Sequence, residues 1–204
     1  MTTFKPPTEW TPPDVFPTEL LVNAKEVAID TETRDPNLKE KGPGYIRGDG
    51  EIVGISFACD GFEGYFPFAH ESGFNFPKNK VISFAKKVCA SNSDKIFHNA
   101  SYDMGWLGSE GVKVNGRIID TMVVAPLIDE NQYWYTLNAL GREYVNEGKT
   151  EAELNAAAEE WGLDPKAEMW RLPSAYVGTY ATQDAALTLK LWNHFKTLIE
   201  EQNL

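Results

Sequence analysis

Apolar and polar residues alternate along residues 25–33 (KEVAIDTET), and Val27 with Ile29 gives the two-residue period of a β-strand that is expected to end at Asp30. Residues 51–59 (EIVGISFAC) and 64–68 (GYFPF) are further strand-like runs, parted by the turn DGFEG at 60–64, which suggests a hairpin. In residues 79–90, Val81, Phe84, Ala85 and Val88 recur at helical spacing, with Lys86 and Lys87 outward. Short strands at 95–97 and 117–119 each run into a helical pattern, at 101–107 and at 122–128 (MVVAPLI). Asp120 and Thr121 would cap the second of these helices, and Pro126 predicts a kink or an early stop. Residues 136–145, 150–161 and 174–199 also read as helices. Strands first, then strands alternating with helices, then helices alone predict an α/β protein with a mixed central β-sheet flanked by α-helices. Residues 1–20 carry five prolines and read as an extended, proline-rich lead-in anchored by Trp10 and Phe16. Residues 35–50 form a long Gly- and Pro-rich loop, a kind of segment often placed near function.

Composition and charge narrow the classes of function. A chain of 204 residues suits one domain, 1–204, with room for a proper core. No apolar run approaches a membrane span, and Met1 leads into polar, proline-rich sequence instead of a secretory leader. Cys59 and Cys89 have neither CxxC nor zinc spacing, which argues against a disulfide scaffold and fits a reducing, cytoplasmic setting. The formal charge of −11 opposes a broad basic groove for nucleic acid. Two divalent cations held by carboxylates would add four charges and leave −7, so binding is expected to be local and metal-dependent.

Three stretches carry candidate chemistry. Asp30 and Glu32 lie two apart on a strand and so share a face. Neighbouring carboxylates repel each other, and a cation between them relieves this; a solvated strand end fits the pair equally well. Residues 97–107 (FHNASYDMGWL) place Asp103 in the first turn of a helix, where the helix dipole also favours a purely structural acid, and Asn99 at a helix N-cap. Tyr180 and Asp184, in YATQD, are four apart on one helix face, a pair that elsewhere is often a core tyrosine and a surface acid. Hard oxygen ligands converging from three stretches suit magnesium or manganese. Two such ions about 3.5 to 4 Å apart can activate water and stabilise a leaving oxygen in phosphodiester hydrolysis.

In order and separation, DTET (30–33), NASYD (99–103) and YATQD (180–184) resemble the three motifs of the DEDD exonucleases, in the subclass with Tyr-x-x-x-Asp as the third. Residues 118–129 (IIDTMVVAPLID) and 136–145 (TLNALGREYV) resemble the proofreading domain of family A DNA polymerases, including phage-type enzymes. This resemblance spans residue 25 to the C-terminus. It implies a ribonuclease H-like fold and a 3′–5′ exonuclease that hydrolyses DNA in replication with two divalent cations, Mg2+ or Mn2+. It also implies that Asp30 bridges both ions, that Glu32 and Asp184 complete the first, that Asp103 holds the second, and that Tyr180 orients the attacking water. Asn99 and Tyr102 match positions that touch the terminal nucleotide, with Thr31 and Thr33 contributing at the 3′ end. The implied partners are a single-stranded or frayed 3′ end of DNA and a DNA polymerase domain or subunit, with no membrane, in the host cytoplasm if the chain is phage-encoded.

Two departures from the family pattern concern the grip on substrate. The loop 35–50 is longer than expected after the first motif, with Leu38 as the candidate wedge, and residues 150–158 offer Leu154 where a stacking aromatic is usual. An RNA-trimming relative similar to ribonuclease D would share the same motifs. A nuclease-like module that only binds nucleic acid would be expected to lack a ligand, whereas all four carboxylates and the tyrosine are present. His70, His98 and His194 lack ligand spacing, and Trp106, Trp134, Trp161, Trp170 and Trp192 read as packing residues.

Overall fold

The computed structural model describes residues 8–204, which are built on a five-stranded sheet. Its strands are β1 (Glu26–Arg34), β2 (Glu51–Cys59), β3 (Phe62–Pro67), β4 (Asp94–Phe97) and β5 (Ile118–Asp120), arranged β3-β2-β1-β4-β5. β2 pairs antiparallel with β1 and β3, and β4 pairs parallel with β1 and β5. The β2–β3 hairpin closes at residues 60–61, with Gly61 at a φ of 79°. The parallel pairs need crossovers, which run through α3 (Lys78–Ala90) before β4 and α4 (Ala100–Ser109) before β5. The remaining helices are α1 (Thr18–Asn23), α2 (Leu38–Lys41), α5 (Thr121–Ile128), α6 (Leu137–Val145), α7 (Ala152–Trp161) and α8 (Ser174–Gln202).

Several expectations change. β1 does not end at Asp30: residues 30–34 go on pairing with β2, with a bulge between Glu32 and Thr33. The lead-in, whose first seven residues lie outside those described, contains α1 and is held by both expected anchors. The Trp10 ring covers Gly178 and its indole N–H donates to Thr182 Oγ1 at 3.3 Å, while Phe16 stacks on Phe66 at 5.2 Å. The long loop holds α2 and a 3-10 turn at Gly44–Ile46. Pro126 lies inside α5, which ends two residues later.

The two faces of β1 decide where the chemistry sits. Val27 and Ile29 join the core of α3 and α4, with Val88, Trp106 and Leu107. Ala28 and Ala58 meet Ala185, Ala186 and Leu191 of α8. Small side chains on both surfaces let α8 lie close on the sheet. Asp30 and Glu32 are in phase with Ala28 and look toward α8, whereas Thr31, in phase with Ile29, looks toward α4. Opposite Glu32 in the register stands Gly54, where a Cβ would come within 2.2 Å of the Tyr65 hydroxyl oxygen. Tyr65 cannot swing away, because its hydroxyl donates to His70 Nε2 at 2.7 Å and His70 Nδ1 donates to the Leu172 carbonyl at 3.0 Å. Gly54→Ala is therefore expected to destabilise the fold by about 1–3 kcal/mol. The reading is a lower urea midpoint at unchanged slope; an unmoved midpoint would show that the sheet relaxes around the methyl group.

Candidate active site

Asp30 and Glu32 from β1 and Asp184 from α8 each offer an oxygen, and these oxygens lie within 4.8 Å of one another. Glu32 and Asp184 are buried, and Glu32 Oε1 and Asp184 Oδ1 have no hydrogen-bond partner. Buried anionic oxygens without partners are costly unless a cation or proton joins them. Three hard oxygen donors with two unpaired atoms fit a magnesium or manganese ion well.

Asp103 stands outside this trio. Its Oδ1 accepts the Thr31 amide at 2.9 Å and the Thr31 hydroxyl at 2.7 Å, which ties α4 to β1. Thr31 is buried and both of its donors are taken by Asp103, so its place in the structure is as the brace of that carboxylate. Thr33 Oγ1 is 2.8 Å from the Tyr102 hydroxyl, which donates to Asp35 Oδ2 at 3.2 Å. Asn99 is exposed with a left-handed φ of 74° and makes no side-chain cap. Asp120 takes that role, its carboxylate accepting the amides of Asn99 at 2.9 Å and Ala100 at 2.8 Å while also capping α5 through Met122 at 3.0 Å.

Lys149, in the loop after α6, was not singled out by any motif. Its Nζ donates to the Tyr180 hydroxyl at 3.1 Å and forms an ion pair with Asp184 Oδ2, with the Tyr180 ring 4.9 Å away. A lysine between a helix end and a Thr-Glu pair has no spacing signature, and only the packing of its loop on α8 reveals it.

Burial raises Asp30 well above the usual carboxylate range, and repulsion from Glu32, Asp103 and Asp184 adds to this. Burial, then Asp184, pushes Glu32 up to about 8. Asp103 is raised to about 7 because burial outweighs the Thr31 hydrogen bonds. Burial also raises Asp184, with Lys149 pulling it back. For Lys149, burial pulls the ammonium down, but Asp184, Asp30 and Glu32 more than offset this and hold it above the usual lysine value. Burial raises the Tyr180 hydroxyl, and Asp184, Glu32 and Asp30 add to it, so it stays protonated.

A sequence profile described as 3′–5′ exonuclease matches residues 18–200. The chain belongs to this exonuclease family. A DNA-directed DNA polymerase of Pseudomonas phage M6 is 38% identical over 201 residues, covering 96% of this chain and 30% of the polymerase. The chain thus spans under a third of that relative's length. Among solved structures, the catalytic core of RRP6 from Trypanosoma brucei matches with a TM-score of 0.64 at 18% identity, covering 100% of this chain and 52% of that one. Brucella melitensis NrnC with bound Mg2+ matches with a TM-score of 0.62 at 18% identity, covering 92% and 79%. The mixed sheet flanked by helices is the ribonuclease H-like fold that the motifs implied.

A cleft with a volume of about 770 Å³ has Asp30, Glu32, Asp103 and Asp184 in its lining. Leu38 and Lys39 of α2, with Lys166 and Trp170, are among the residues lining it. The Arg34 guanidinium lies 4.6 Å from the Trp170 ring centroid. Leu154 is buried in the core with Tyr65 and Tyr176 and does not line this cleft, so it cannot stand in for the missing aromatic; Trp170 does line it. Trp106 and Trp192 are packing residues as expected, but Trp134 and Trp161 are 70% and 40% exposed. His98 lines the cleft, its Nδ1 bonded to Thr121 Oγ1 at 2.9 Å. No described helix of the exonuclease domain is long and apolar enough to cross a membrane.

Proposed function

We propose that this exonuclease domain removes nucleotides one at a time from a single-stranded or frayed 3′ end of DNA, as the proofreading part of a DNA polymerase acting inside the cell. The observation that carries the reading is the trio Asp30, Glu32 and Asp184, converging within 4.8 Å, with a buried, unpartnered oxygen on each of Glu32 and Asp184. The polymerase relative supports DNA as the substrate, and the acidic chain supports a grip confined to the site.

In this reading Asp30, Glu32 and Asp184 would hold one divalent cation, and Asp30 with Asp103 would hold a second. Magnesium or manganese there would supply Lewis acidity and a water of lowered pKa. Tyr180 stays protonated; its oxygen accepts from Lys149 and its O–H lies beside Asp184, where it would hold the attacking water. Thr31 keeps Asp103 from turning away. Asn99 and Tyr102 line the space for the terminal sugar, with Tyr102 braced by Thr33 and Asp35. Leu38 and Trp170 offer apolar surface to the base, and an aromatic face stacks on any base without reading it.

Digestion of single-stranded DNA labelled at either end, beside the matching RNA, tests this. With magnesium, the 3′ label should leave as mononucleotide and the 5′-labelled strand should shorten as a ladder, both lost in EDTA. Preference for RNA would move the substrate class, since only the 2′-hydroxyl distinguishes the two strands at the sugar. Binding without turnover in any divalent metal would leave a binding module.

A further inference from the structure

We propose that Lys149 is a positioning residue that fixes Tyr180 and Asp184 for hydrolysis and, by its fixed positive charge, weakens the hold of Asp30, Glu32 and Asp184 on a divalent cation. This rests on the exonuclease reading above. The placement of Lys149 is built by its neighbours. The Gln183 side chain donates to the Gly148 carbonyl at 3.0 Å and accepts the Thr150 amide, so one amide group clips the backbone on both sides of Lys149. The Lys149 amide donates to Asn138 Oδ1 at 2.9 Å, and Glu147 pairs with Lys190 of α8 at 2.8 Å. Gln183 is the immediate neighbour of Asp184, so the clip and the carboxylate move together.

The side chain of Lys149 then does two things. It takes Asp184 Oδ2, which leaves Oδ1 as the unpaired oxygen, and it donates to the Tyr180 hydroxyl one helical turn away. Outer partners of this kind orient ligands, and their loss typically costs about 10- to 100-fold in metal affinity or activity. Lys149 differs from the usual neutral or anionic partner because it is a cation. A like charge within a few ångströms of a dication in a buried site is strongly repulsive, and this outweighs the orientation it provides for binding, though not for turnover. Metal affinity and catalysis are therefore expected to part company when the charge is removed.

Manganese titration calorimetry and single-turnover cleavage of 3′-labelled DNA at saturating manganese, on the wild-type chain and on Lys149→Met, Lys149→Arg and Gln183→Ala, read the two effects separately. Lys149→Met should bind manganese about tenfold more tightly or better, yet turn over about 10- to 100-fold more slowly. Lys149→Arg keeps the charge and should bind manganese as the wild type does, with much of the rate restored. Gln183→Ala, which unclips the loop, should move both readings in the Lys149→Met direction by less. Circular dichroism melts show that each variant is folded. Unchanged or weaker manganese binding by folded Lys149→Met, or a wild-type rate at saturating metal, overturns the proposal. Tighter binding by Lys149→Met with no cleavage even by the wild type would overturn the exonuclease reading and keep the electrostatic role of Lys149.

Discussion

Asp30→Asn is expected to lower release of the 3′ nucleotide by about 10³-fold or more while leaving the chain folded. Asparagine keeps the shape of the side chain and removes the charge. Asp30 is raised by burial and then by repulsion from Glu32, Asp103 and Asp184, so it feels the charge of all three other carboxylates. Neutralising it removes the one ligand that both cations would share, which would weaken both sites and with them the chemistry the cations would supply. The same change relieves like-charge repulsion, and the melting temperature in EDTA should be equal to or above that of the wild type. Loss of activity with retained stability separates a catalytic role from a structural one. Activity within tenfold of wild type would remove Asp30 from the chemistry, and loss of folding would make it a structural acid.

The second large effect is a stability that falls as pH rises when metal is absent. Burial first, then neighbouring acids, holds Glu32 at about 8 where the ordinary value is 4.5. For Asp103, burial works against hydrogen bonds from Thr31 and still gives about 7 in place of 3.8. The folded chain thus binds more protons than the unfolded chain between about pH 4 and pH 8. Stability contributed by these groups is fully present below their unfolded values and is lost as pH rises through the folded ones. The titrations are linked and Lys149 offsets part of the charge, which leaves a loss of about 2 kcal/mol across the window. For a chain of this size that is a fall of about 6 °C in melting temperature between pH 5 and pH 9 in EDTA. Saturating manganese should flatten the slope, because the ion binds the ionised carboxylates and only in the folded state. A flat profile in EDTA would mean that water reaches these oxygens; a slope that survives manganese would mean that the ion binds elsewhere.

Much of the fold was legible in residue periodicity, because alternation and helical spacing record which side of a segment meets the core. The helices around Phe84 and along 174–199 and the strand 51–59 follow from that signal. The end of β1 did not. Thr31, Glu32, Thr33 and Arg34 read as a polar turn in isolation and become strand only by pairing with β2. The capping of α4 was hidden for a similar reason: Asn99 has the right residue type at the right place, but Asp120, twenty-one residues on, reaches its amide across the parallel β4–β5 pair. Trp134 and Trp161 read as packing residues, yet residue type alone says nothing about which side of a loop or helix turns outward.

By itself the amino-acid sequence determined the kinds of chemical group and their local phase: Asp30 and Glu32 on one strand face, Asp103 in a first helical turn, and Tyr180 and Asp184 one turn apart. Those are consequences of bond geometry within a few residues, and they held wherever the element formed. Only the tertiary structure decided the company each group keeps. The alanines between β1 and α8 set how near Asp184 comes to Glu32, and Thr31 turns Asp103 toward the strand. The loop clipped by Gln183 puts the ammonium of Lys149 between Tyr180 and Asp184. Distances between residues far apart in the chain are properties of packing, and burial, which shifts the charges of this site, exists only once the chain has closed around it.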